Sequence, residues 1–143
     1  MIVPWTLVQT RAEAEAFAAK LTAEFRPSLR RTSISGALLY SARLFDDNGF
    51  TAWRRVIDVS GDGRSNEGIN PGLIKKQLAA ANVTVNALVI QNLDQGLTRY
   101  FRDVVISGPG AFVVTANGYE EYPARIRLKL EREVTKQVSR LET

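Results

Sequence analysis

The sequence predicts an α/β fold in which a mostly parallel, doubly wound sheet carries helices on both faces. Residues 83–90 (VTVNALVI) contain no charged side chain, which is typical of a parallel strand buried on both sides. Residues 54–60 and 111–115 are two further β-prone runs, and segments with helical spacing of apolar residues separate the three runs. Strands that alternate with helices form βαβ units, and these predict a parallel sheet within one domain, residues 1–143.

One strand and two helices are predicted in the first third of the chain. Residues 2–8 (IVPWTLV) are apolar and β-prone, and their proline restricts them to an edge strand. Thr10 and Glu13 form a capping-box pattern that opens a helix to about residue 25. A second helix is predicted over about 33–46. Its inward stripe consists of Ile34, Leu38, Ala42 and Phe45.

Capping signals define the later elements. Asn70 is an N-cap followed by proline at the first helical position, and Asn82 is a C-cap for the same helix. A short helix is predicted around 97–105, and a long one from Tyr122 towards Arg140. The side chains expected to face inward on these helices are Leu73, Ile74, Leu78, Ile126, Leu130, Val134 and Leu141. Those expected to be buried on strands are Val56, Ile57, Val59, Val85, Leu88, Val89, Phe112 and Val113. Trp5 and Trp53 are expected to be at least half-buried, with a role as interface anchors as the alternative.

Composition excludes several classes of function. The chain has neither cysteine nor histidine, so a thiol nucleophile, a Ser-His-Asp triad and an imidazole zinc site are ruled out. We therefore expect no enzymatic activity. The net charge of +4 is spread along the chain, which argues against a nucleic-acid partner. No apolar run reaches the length of a membrane span and no signal peptide is recognisable at Met1, so we expect a cytoplasmic location.

The richest cluster of oxygen ligands follows the strand at 54–60. Asp58, Ser60 and Asp62 lie in the run DVSGDGRSNEG, and hard cations such as Mg²⁺ prefer such ligands. An EF-hand loop would need a glutamate where Ile69 stands. A second interpretation is a magnesium-dependent hydrolase that uses Asp58 and Asp62. A third is a glycine-rich turn stabilised by local hydrogen bonds.

Three separated segments carry a resemblance to a known family. Residues 54–68 (RRVIDVSGDGRSNEG), 99–114 (RYFRDVVISGPGAFVV) and 31–38 (RTSISGAL) resemble an uncharacterised bacterial family of von Willebrand factor type A–like proteins. The similarity runs from about residue 2 to about residue 130. It implies a protein-interaction module with a metal-ion-dependent adhesion site.

The resemblance implies an incomplete metal site. Thr32 matches the family's threonine ligand and Asp62 its late aspartate, whereas the Asp-x-Ser-x-Ser motif of the first strand is absent. Asp58-x-Ser60-x-Asp62 is similar to that motif, but it lies on a later strand and ends in aspartate, so we do not accept it as a substitute. Asp58 and Ser60 remain additional candidate ligands. We expect no resident cofactor and at most weak binding of Mg²⁺ or Ca²⁺.

The same resemblance implies that the first strands of the fold are missing. The absent strand would neighbour residues 54–60, whose backbone would then lie at an exposed edge. We expect a homodimer that covers this edge with the N-terminal strand and helix of a second copy. There are three alternatives. Residues 2–8 of the same chain could cover the edge in a monomer, the chain could continue upstream, which would also permit export, or the chain could be a gene fragment without independent function.

Overall fold

The computed structural model describes residues 3–23 and 32–141, except for the side chains of residues 136–141. The chain divides into two compact units, Met1–Arg30 and Arg31–Thr143, and each is described by itself. Among the described residues, none of the helices combines the length and the apolar character that a membrane span requires.

The first unit contains helix α1, Arg11–Ala23. Its predicted capping box is confirmed: Oε2 of Glu13 accepts hydrogen bonds from the backbone N–H groups of Gln9 at 2.7 Å and Thr10 at 3.0 Å. The predicted strand at 2–8 is wrong, because residues 3–9 form no strand. A β-prone sequence alone does not make a strand, because strand formation depends on packing and pairing with neighbouring strands. The predicted end of the helix near residue 25 lies outside the described residues.

The second unit contains four helices and three strands in alternating order, as predicted for βαβ units. A π-helical turn, Phe101–Val105, continues α4, and a 3₁₀ turn, Tyr119–Glu121, precedes α5. The element bounds are α2 Ile34–Arg43, β1 Arg55–Gly61, α3 Pro71–Ala80, β2 Val83–Ile90, α4 Leu97–Tyr100, β3 Val113–Ala116 and α5 Tyr122–Leu141.

The three strands form one open parallel sheet in the order β1-β2-β3. Asp58 pairs in register with Asn86 between β1 and β2, and Ala87 pairs with Val113 between β2 and β3. Every residue of the central strand β2 is buried. The predicted parallel sheet with a fully buried strand at 83–90 is therefore confirmed.

Helices cover both faces of the sheet. Helices α2, α3 and α4 bury one apolar cluster against the odd-numbered residues of β2, while Tyr122 and Ile126 of α5 pack against Leu88 and Ile90 on the other face. Of the eight predicted strand core positions, five are buried: Ile57, Val85, Leu88, Val89 and Phe112. Val56, Val59 and Val113 are half-buried because they lie on the two outer strands.

The predicted helix caps agree with the structure. Oδ1 of Asn70 accepts the Gly72 N–H at 2.8 Å at the start of α3, and Asn82 adopts a φ of 56° after its end. On α2, the predicted stripe is buried or half-buried.

Several side chains expected inside are exposed. Leu73 of α3 is exposed, and so are Trp5 and Trp53, the latter 97%. On α5, Leu130 and Val134 are exposed, while Lys129 and Glu133 are buried in their place. The predictions for Leu130 and Val134 were wrong, because Lys129 and Glu133 follow helical spacing from Ile126 equally well and face the sheet in their place. Ile126 packs against the sheet as predicted, and the side chain of Leu141 lies outside the described residues.

Candidate functional site

The loop after β1 is fixed to the segment that precedes α2. The backbone carbonyl of Thr32 accepts hydrogen bonds from the N–H groups of Asn66 at 2.9 Å and Glu67 at 3.2 Å. In return, the Thr32 N–H donates to Oδ1 of Asn66 at 2.9 Å. These bonds use the backbone of Thr32 and place it beside residues 65–67, at the carboxyl end of β1.

Two further contacts tighten this junction. Oγ of Ser65 accepts the Ile34 N–H at 3.1 Å. Gly68 has a φ of 82°, and a Cβ at this position would lie 2.7 Å from Oγ of Ser33. Glycine is required here for both the left-handed backbone and the close approach. These contacts hold the loop after β1 against the start of α2.

Asp62, the second metal ligand implied by the resemblance, is hydrogen-bonded to a tyrosine. Its Oδ2 accepts a short hydrogen bond from the hydroxyl of Tyr119, and this bond raises the pKa of Tyr119. The structure therefore places Asp62 and Thr32 at the same end of β1, but in different hydrogen-bond networks.

A shallow cleft of about 380 Å³ opens beside this loop. Its walls are residues 64–71 and Tyr100. Nε of Arg64 donates to Asp94 at 2.7 Å, and the guanidinium lies 5.1 Å from the centre of the Tyr100 ring. The bond from Arg64, followed by one from the Gly96 N–H, lowers the pKa of Asp94. The one cationic side chain of the cleft wall is thus already paired with a carboxylate.

The remaining candidate ligands do not join this end of the sheet into a metal centre. Asp58 forms an ion pair with Lys129 of α5, and Ser60 is exposed on β1. Within residues 3–23 and 32–141, no group of three or more acidic side chains is close enough to hold a metal ion. Thr32 and Asp62, the metal ligands implied by the resemblance, remain predicted ligands. The same holds for the additional candidates Asp58 and Ser60.

The ion pair of Asp58 belongs to a buried polar network between β1, β2 and α5. The side chain of Lys129 is 0% exposed, and its Nζ contacts Asp58 and, at 3.1 Å, Oε1 of Glu133. Nδ2 of Asn86 donates to the same Glu133 oxygen at 2.6 Å, while its Oδ1 accepts the Phe112 N–H at 3.1 Å. Every buried side-chain polar atom among the described residues has a partner, which such a network needs in order to be tolerated.

Two carboxylates compete for the one ammonium group of this network. Burial raises the pKa of Glu133, and the neighbouring Asp58 raises it further, while the Lys129 ammonium acts in the opposite direction. Asp58 contacts the same ammonium group, and 35% of its side chain remains exposed. The network therefore combines a Lys129–Asp58 ion pair with a second carboxyl group, Glu133, whose pKa is raised.

Strand β1 has a free edge, because β2 is its only strand neighbour among the described residues. The Ala87 N–H donates to the Phe112 carbonyl at 3.1 Å, so odd-numbered residues of β2 direct their backbone groups towards β3. Even-numbered residues, such as Asn86, consequently direct theirs towards β1.

The parallel ladder then identifies the backbone groups at this free edge. In such a ladder, a residue bonds to the two chain neighbours of its register partner. Asn86 is in register with Asp58 and so bonds to the residues on either side of it. The N–H and C=O groups of Val56, Asp58 and Ser60 therefore point away from β2. The side chains of Asp58 and Ser60 are exposed as well.

Sequence reasoning missed the network at Lys129. Asn86 was a usable signal, since it interrupts an apolar run on a strand expected to be fully buried. A buried amide needs partners, and these had to come from the covering helix. Lys129 and Glu133 are four residues apart on that helix, but charged residues at this spacing also occur on exposed faces.

A model for a protein family of unknown function, designated DUF1194, matches residues 1–138. The chain belongs to this family. No curated protein and no solved structure matches the DUF1194 chain. The resemblance of the DUF1194 chain to von Willebrand factor type A domains therefore stays a prediction, which rests on the three sequence segments that carry it.

Proposed function

We propose that this chain is a non-enzymatic protein-interaction module of the von Willebrand factor type A kind, and that the free edge of β1 is its binding element. The observation that carries the proposal is the outward direction of the backbone groups of Val56, Asp58 and Ser60. An edge with unpaired backbone donors and acceptors is a template for an added strand.

The surroundings of the edge support this role. β1 is seven residues long, which is enough for a partner strand to form several ladder bonds. β1 contains neither lysine nor proline, and its two charged side chains form ion pairs, Arg55 with Asp46 and Asp58 with Lys129. Trp53, two residues before β1, is 97% exposed, and tryptophan is enriched among residues that dominate binding energy.

A second copy of the chain is the partner we expect. Residues 3–9 carry the β-prone sequence VPWTLVQ and form no strand. Offered by a second copy, they would add a fourth strand to the sheet, followed directly by α1. Pro4 suits that position, because the added strand would have its outer side free and would need no N–H there.

The carboxyl end of β1 supplies a secondary argument for the type A kind. Thr32 and the loop containing Asp62 meet there, as the resemblance implies for a metal-dependent adhesion site. The tyrosine bound to Asp62 and the small number of carboxylates favour an incomplete site over a working one. The alternative of a magnesium-dependent hydrolase is disfavoured by the ion pair between Asp58 and Lys129, since a hydrolase would need that carboxylate for its metal.

Sedimentation equilibrium of the wild type and of Ser60→Pro tests the proposal. Ser60→Pro removes an outward N–H while leaving the ladder to β2 intact. Ser60→Ala is the matched control, because it removes the hydroxyl and keeps the N–H. Val56→Pro, near the start of the strand, repeats the test at a second outward position.

We expect the wild type and Ser60→Ala to form dimers at micromolar concentration, and both proline variants to stay folded by circular dichroism but to dimerise more weakly. A wild type that stays monomeric at these concentrations contradicts the proposal. So does dimerisation that is unchanged in both proline variants.

A further inference from the structure

Helix α5 presents an apolar stripe on one side of its length. The stripe consists of Ile126, Leu130 and Val134, spaced four residues apart. Ile126 is half-buried against the sheet, Leu130 is 48% exposed and Val134 is exposed. A stripe at this spacing on a helix is the pattern that packs against another helix.

The contacts of α5 show which way the stripe faces. Lys129 and Glu133 point at the sheet, and Arg132, about 100° to one side of Glu133, lies 3.9 Å from the Phe112 ring beside β3. Leu130 and Val134 lie about 100° to the other side. The stripe therefore faces the β1 side of the sheet, the side with the free edge.

A pair of opposite charges borders the stripe. Arg127 and Glu131 form an exposed ion pair, with Nε of Arg127 2.8 Å from the Glu131 carboxylate. They lie on the outer flank of the stripe, one turn apart. If two such helices meet in antiparallel fashion about a two-fold axis near residue 129, Arg127 of each copy faces Glu131 of the other.

We infer that the α5 stripe is a dimer contact whose occupant is the α5 stripe of a second copy, packed antiparallel. Charge complementarity selects this occupant, since an isologous contact must be complementary to itself. The contact is separate from strand addition at β1 and goes beyond the proposed function.

Leu130→Glu and Leu128→Glu form a matched pair for the test. The two leucines lie on the same helix with almost equal exposure, 48% and 51%, but Leu128 lies on the far side from the stripe. By sedimentation equilibrium of the full chain up to about 100 µM, we expect Leu130→Glu to weaken dimerisation about tenfold or more and Leu128→Glu to leave it unchanged. Equal effects of the two substitutions, or a monomeric wild type, would overturn the inference.

Charge reversal tests the antiparallel arrangement. Arg127→Glu places like charges across the two-fold axis, and so does Glu131→Arg. Each variant alone should dimerise more weakly than the wild type, and an equimolar mixture of the two should form heterodimers. The broken ion pair within each helix cannot produce this recovery, because it stays broken in the mixture. Absence of heterodimers would overturn the inference.

The two proposals can be contradicted independently. Weaker dimerisation of Ser60→Pro with no effect of Leu130→Glu would support the β1 edge as an interface and contradict the α5 contact. The reverse pattern would support the α5 contact and contradict the β1 edge.

Discussion

The amide nitrogen of Asn86 lies 2.6 Å from Oε1 of Glu133, and the ammonium group of Lys129 lies 3.1 Å from the same oxygen. This relationship joins the central strand to the last helix through polar groups, whereas the other face of the sheet is covered by apolar packing. Since Lys129 also binds Asp58, the network reaches the strand that carries the free edge. The stability of that edge and the charge state of the network are therefore linked.

Lys129→Met tests the contribution of the network to stability. Removal of the ammonium leaves two neighbouring carboxyl groups without their cation. We expect a loss of about 2–4 kcal/mol in the free energy of unfolding, below the full cost of breaking a buried pair because Asp58 is partly exposed. Urea unfolding followed by circular dichroism measures it. Arg99→Met, at the exposed ion pair with Asp103, should cost no more than about 0.5 kcal/mol. Similar costs for the two variants would show that the network contributes little.

Glu133→Gln tests the raised pKa of Glu133. A group whose pKa is higher in the folded state favours folding while it is protonated, and this advantage is lost as the pH rises through the folded pKa. The wild type should therefore lose stability relative to Glu133→Gln as the pH rises above 4.5, the ordinary value of the group. Urea unfolding of both proteins across this range is the measurement. A stability difference that is constant with pH, or that moves in favour of the wild type, would contradict the assignment.

The elements with strong local signals could be predicted from the sequence. The charge-free run at 83–90 became the buried central strand, and Asn70-Pro71 became the start of α3. Residues 2–8 had the same β-prone character but form no strand over the described positions, because strand formation depends on a neighbour that no local pattern specifies.

The polar contacts of the site depend on residues far apart in the chain. Asp58 and Lys129 are separated by 71 positions, and Thr32 and Asn66 by 34. The composition of the loop after β1 suggested ligands for a cation, but the partners that Asp58 and Asp62 take could only be known from the fold. For the same reason, the sequence predicts an apolar inward face for α5, although Lys129 and Glu133 share its sheet-facing side with Tyr122 and Ile126.

Divalent-cation binding should be weak. Thr32 and Asp62 supply few anionic ligands, and Tyr119 already donates to Asp62. Calorimetric titration with Mg²⁺, Mn²⁺ and Ca²⁺ should show no stoichiometric site of micromolar or tighter affinity, for the wild type or for Asp62→Asn. A site of that affinity in the wild type that disappears in Asp62→Asn would contradict this prediction and restore a working metal site.

Amide hydrogen exchange along β1 measures directly whether the outer edge of this strand is free. The N–H groups of Ile57 and Val59 bond to β2, so NMR should show them protected at every protein concentration. The N–H groups of Val56, Asp58 and Ser60 should exchange rapidly in dilute protein and become protected as dimers form. In Ser60→Pro, the remaining two outward amides should stay unprotected at the highest concentration. If the amides of Val56, Asp58 and Ser60 are as protected as those of Ile57 and Val59 in dilute monomer, the edge is already covered within one chain. The edge of β1 would then not be free, and the proposed function would be contradicted.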